Sequence, residues 1–171
     1  MLAQDCQIAR ARLDTTISRL SESIIVPTAT LAEMRAAVLR IFHINLVNPD
    51  PSDVPTEAIF FAGLLADYKK LRSPGFDQDP PFVLEPNYTG SNQAWVVGID
   101  DATVHISPDY FYMDRDQLAL TLIHERAHTV LRLPGHPGGI PGVPSAGVLT
   151  MTRDEAIRNA YCYEGLVAAL H

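Results

Sequence analysis

Apolar residues recur at helical spacing in five stretches of this chain and alternate in one. Residues 4 to 20 place Ile8, Leu13, Ile17 and Leu20 on a single stripe, which predicts an amphipathic helix that ends before Pro27. Thr30-x-x-Glu33 reads as a capping box opening a second helix through Met34, Val38, Leu39, Ile41 and Phe42 to about Asn45. Asn48-Pro49-Asp50-Pro51 is a turn-rich connector, and a third helix is predicted from about Thr56 to Leu71 through Ile59, Phe60, Leu64 and Leu65. These three stripes read as scaffold, since such faces mostly pack a core.

Residues 73 to 92 are punctuated by Pro74-Gly75, Pro80-Pro81, Pro86 and Gly90, so irregular structure is expected there, either the wall or lid of a cleft or a surface loop. Gln93 to Ile99 and Ala102 to Ser107 then read as two short strands joined by a turn at Gly98-Ile99-Asp100-Asp101, a hairpin. A fourth helix opens at Asp114, with Gln117 as its capping partner. It runs through Leu118, Leu122, Ile123, Ala127, Val130 and Leu131 to a stop at Pro134-Gly135. After the stiff, tight loop Leu133 to Pro144, a last helix is predicted from the capping box Thr152-Arg153-Asp154-Glu155 through Ala156, Ile157, Ala160, Tyr161, Tyr163, Leu166, Val167 and Leu170.

Composition bounds what this arrangement does. At 171 residues, 47% apolar and 19% charged, the chain is globular and fits one domain spanning residues 1–171, with residues 1–72 as helical scaffold and 93–171 carrying the hairpin, fourth helix, loop and last helix. A net charge of -7 argues against nucleic acid or an anionic membrane as partner. No apolar run approaches the roughly 20 residues of a membrane span, and Met1 to Arg12 lacks the apolar core of a signal peptide. Cys6 and Cys162 could be bridged if the first and last helices pack together; two buried thiols are the favoured reading.

The chemistry concentrates in the fourth helix, where His124-Glu125-Arg126-Ala127-His128 forms H-E-x-x-H. Residues i and i+4 stand on one face of a helix, so His124 and His128 would aim both imidazoles at one point, with Glu125 beside them and able to reach a water bound there. This is the pattern of a zinc site with a general base. The alternative is a buried helix that carries two histidines by coincidence.

Catalytic zinc needs a third protein ligand and an open position. His136, just past the helix and flanked by Pro and Gly, is favoured. Glu155 is the alternative, although capping of Thr152 would also explain it, and Asp154 follows for a similar reason. His105, in the hairpin, reads as a surface or packing residue. The predicted strand beside the metal helix suits pairing with an extended peptide backbone, as in zinc peptidases of this general type.

The segment Ala156-Ile157-Arg158-Asn159-Ala160-Tyr161-Cys162-Tyr163 resembles the A-x-x-N-A-D-S-Y motif of the deuterolysin and lysine-specific metallo-endopeptidase group, the aspzincins. With H-E-x-x-H and Ser107-Pro108-Asp109, the resemblance covers about the last 75 residues. It departs at two places. The group takes its third ligand from Asp in a G-T-x-x-D segment, near where His136 stands, and the Asp of the last-helix motif is Tyr161 here.

The resemblance implies an α+β, mostly α, zincin-like fold with a small sheet beside the metal helix, and Zn2+ as cofactor. The expected reaction is peptide-bond hydrolysis of a protein or peptide substrate: Glu125 activates the zinc-bound water, and a tyrosine assists the oxyanion, for which Tyr163 is the candidate, with buried packing in the last helix as its equal alternative. Related domains form the toxic ends of bacterial effectors. That setting would bring export by a dedicated system and an inhibitor or immunity protein as partner. The rival readings are a cell-wall peptide hydrolase and a zincin-like binding module without catalysis.

Overall fold

In the computed structural model, residues 2–25, 29–42, 53–73, 81–98, 100, 102–137 and 153–171 are described. Three long helices come first: α1 (Leu2–Ile25), α2 (Ala29–Phe42) and α3 (Asp53–Leu71). Their stripes are buried as the spacing requires, with Leu13 and Leu20 from α1, Met34, Val38 and Phe42 from α2, and Phe60, Leu64, Tyr68 and Leu71 from α3. Ile59 departs from expectation. It is 72% exposed, because the buried line on α3 runs 60/61–64–68–71 and Ile59 falls off its edge. The Thr30 side chain and the whole of Thr152, read above as caps, lie outside the described positions, as does the 48–51 connector.

A three-stranded sheet follows, built from β1 (Phe82–Leu84), β2 (Ala94–Trp95) and β3 (Val104–Ile106) in the order β1-β3-β2. The predicted hairpin is the antiparallel β2/β3 pair, with Ala94 opposite Ile106 and Trp95 opposite His105, and its strands are shorter than the apolar runs suggested. β1 corrects the expectation of irregular structure over 73–92. It pairs parallel to β3, and its three residues are too few, and too exposed at Val83 and Leu84, to show an alternating pattern. Trp95 stacks between Tyr88 (4.2 Å between centroids) and His105 (5.4 Å), while His105 Nδ1 pairs with Glu85 at 2.8 Å. His105 is thus the packing residue expected.

A 3₁₀ turn over Pro108–Tyr112 leads into α4 (Arg115–Val130). Asp114 caps α4 by accepting from the Gln117 N–H at 3.0 Å, as its sequence indicated. The helix ends before Pro134: Leu131 is its C-cap and Arg132 turns the chain in the left-handed region at φ 54°.

The predicted last helix is two pieces, α5 (Arg153–Ala156) and α6 (Ala160–Ala169). Asn159 breaks it: its backbone is extended (ψ 117°) and its side chain accepts from the Tyr161 N–H at 3.0 Å, so it caps a new helix. α6 packs against α4 and α2, and α1 packs against α3 and α4. Cys6 and Cys162 are buried thiols that are not bridged to each other. Among the described residues no helix is long and apolar enough to cross a membrane.

Candidate metal centre

α4 presents His124 and His128 one turn apart, and the loop after it returns His136 to the same point. The three Nε2 atoms lie 2.9 Å (124–136), 3.2 Å (124–128) and 3.1 Å (128–136) apart. The opposite ring nitrogens fix how these atoms are used. His124 Nδ1 faces Glu164 Oε2 at 2.9 Å, and His128 Nδ1 faces the Leu133 carbonyl at 2.9 Å. Each Nδ1–H donates outward, so each Nε2 turns a lone pair inward.

Lone pairs aimed at one another are satisfied by a shared cation. Tetrahedral zinc with bonds of about 2.0–2.1 Å requires donors roughly 3.3 Å apart, so the observed spacing needs only tenths of an ångström of relaxation. The protonation state also fits. Burial, then the neighbouring His124 and His128, pushes His136 down to about 4, and burial lowers His128 as well. Both shifts favour the neutral imidazole, the form that binds a metal, and the cluster is compatible with zinc.

Glu125 is buried beside the triad at 6% exposure. Burial pushes its carboxyl up to about 7; His124 pulls it down and Glu164 pushes it up again. Tyr161 lays its ring over the triad, 4.3 Å from the His124 ring and 4.5 Å from that of His136. Burial raises its hydroxyl pKa, and Glu164 and Glu125 add to the shift. These groups line an open cleft of about 590 Å³, whose other wall is Asn92 to Gly98, including the edge strand β2.

Of the residues expected from sequence, His124, Glu125, His128 and His136 are brought together. Glu155 sits half-buried on α5 and is not among the metal-ligating groups gathered at the triad. Of the two roles expected of Tyr163, the structure shows buried packing and not a place at the metal centre. Its side chain points into the core, where the hydroxyl donates toward Asp67 Oδ2 (3.0 Å) and the Ile157 carbonyl (3.2 Å). Two residues along a helix is a rotation of about 200°, so Tyr161 faces the cleft and Tyr163 cannot.

Glu164 was missed, although a signal existed: it is the one charged residue in the apolar run 160–170, three positions after Tyr161 and hence on the same face.

No family model matches the chain, and no curated protein matches its sequence. A solved structure does: a zinc peptidase from Grifola frondosa, with a TM-score of 0.54 over 96% of this chain and 94% of that one, at 17% identity. That likeness carries the architecture, so the chain has an α+β, zincin-like fold, in which the helix that bears H-E-x-x-H and the loop after it bring together a triad compatible with zinc.

Proposed function

We propose that this protein is a zinc-dependent endopeptidase. The observation that carries the reading is the convergence of three histidine Nε2 atoms beside a buried carboxyl, in a cleft lined by the edge strand β2. His124, His128 and His136 hold the metal. Zinc bound there supplies Lewis-acid polarisation of a carbonyl and a more acidic water.

Glu125 takes the proton from the attacking water and returns it to the leaving amine. A carboxyl raised to about 7 suits that shuttle, because the transfer is efficient in both directions near neutral pH. The oxyanion-assisting hydroxyl falls to Tyr161, whose ring packs on two members of the triad. Among the described residues β2 is paired on one side only, and its residues line the cleft, which suits an extended substrate adding to it by backbone hydrogen bonds.

Glu125→Gln tests this reading. The variant keeps zinc at the wild-type stoichiometry and loses about 10²- to 10⁴-fold in turnover of an unstructured protein substrate. Wild-type turnover in the variant would remove Glu125 from the mechanism.

A further inference from the structure

His136 stands in an exposed loop, whereas His124 and His128 are fixed by a packed helix. A ligand on such a loop binds metal well only if its backbone is held in place beforehand. Two fixed points bracket it. On one side Leu133 is buried, its carbonyl takes the His128 Nδ1–H, and it also accepts from the Gly135 N–H at 3.1 Å. Gly135 then turns the chain at φ 74°, which a residue with a Cβ rarely adopts.

On the other side the Asn159 Nδ2 donates to the Pro137 carbonyl at 2.9 Å, one residue after His136. Asn159 is fully buried, and its Oδ1 meanwhile caps α6, the helix that carries Tyr161 and Glu164.

From this geometry we infer that Asn159 is a positioning residue for the metal centre: its amide straps the His136 loop to α6 and presets the third donor. The inference rests on His136 being a ligand. It assigns to one side chain two tasks that a simple helix cap would not combine. The cap uses only the oxygen; the strap uses only the nitrogen.

The two tasks separate by substitution. Asn159→Ser retains a capping oxygen but is too short to reach Pro137. Zinc affinity, measured by competition against chelators of graded strength, is compared for wild type, Asn159→Ser, His136→Ala and the double variant. The expected result is a roughly ten- to hundredfold weaker Kd for Asn159→Ser, with thermal stability close to wild type, and less than about twofold further change when His136 is already absent.

Equal weakening in both backgrounds would make Asn159 a general support of the fold and overturn the inference; so would undiminished affinity in Asn159→Ser. His136→Ala binding zinc as tightly as wild type overturns it by the other route, through the ligand assignment itself. Should the Ser variant fold poorly, Asn159→Asp keeps the cap, removes the donor and is read by the same cycle.

Discussion

Arg126 occupies one of the two unspecified positions of H-E-x-x-H, yet it is 2% exposed, a buried cation next to the proposed general base. Its Nε donates to the Leu71 carbonyl at 2.5 Å, and its Nη2 donates to Ser73 Oγ at 3.0 Å. Leu71 is the last residue of α3, so its carbonyl has no partner further along that helix and carries the negative end of the helix dipole.

Arg126→Met removes the bonds to Leu71 and Ser73 while keeping much of the side-chain volume. Each charge-assisted bond contributes about 1.5–3 kcal/mol, and the abandoned carbonyl costs roughly 1–3 kcal/mol more, whereas relief from burying a guanidinium offsets several kcal/mol. The balance is a destabilisation of about 2–4 kcal/mol. Arg126→Lys, with one cationic head instead of a fork, falls between.

Urea unfolding at pH 7 measures this directly, and zinc content serves as the control that α4 still presents its histidines. A Met variant as stable as wild type, or more so, would show that the desolvation cost of the guanidinium dominates and that the bridge between α4 and α3 contributes nothing net.

The two tyrosines of α6 should separate cleanly. Tyr163→Phe loses the bonds to Asp67 and Ile157 and about 1–2 kcal/mol of stability while keeping turnover, whereas Tyr161→Phe keeps stability and loses roughly 10²-fold in kcat; denaturant titration and peptidase kinetics on both decide it, and the reverse pattern would restore Tyr163 to the site. Asp5 is fully buried, with Oδ1 3.3 Å from Arg115 Nη1 and, among the described residues, no hydrogen-bond partner for Oδ2. Burial raises its pKa, against the lowering effect of Arg115 and the N-terminus, so its ionised form is disfavoured in the fold. A raised folded pKa contributes stability that is present below the unfolded value near 3.8 and lost as pH rises through the folded value. Asp5→Asn should therefore match or exceed wild-type stability at pH 7 and lose that advantage by pH 3, and a pH series of thermal melts in which the variant is weaker at pH 7 would contradict the sign.

How legible the site was depended on whether sequence distance tracked spatial distance. His124, Glu125 and His128 lie within one helical turn, so spacing alone placed them. His136 was favoured because a histidine between Pro and Gly has little core to satisfy, and the loop does return it to the triad. Tyr163 was misplaced because the apolar pattern of the last helix does not say which of two tyrosines, two residues apart, faces the cleft. Asn159 breaks that helix, and the frame of α6 puts Tyr161, not Tyr163, on the cleft face. Nothing local announces that break, since an Asn within an apolar helical pattern is also compatible with a helix interior.

β1 was hidden for a different reason. Three residues pairing parallel to a strand twenty positions away leave no periodicity to read. Glu164 was within reach, as a lone charge in an apolar run, but its partner His124 is forty residues distant and only the fold joins them.

The central claim is that three histidines hold one zinc ion. Elemental analysis of the purified protein, run beside His136→Ala, tests it most directly. About one zinc per chain in wild type, sharply reduced in the variant, is the predicted result; a wild type that carries no zinc and takes up none from excess would contradict it.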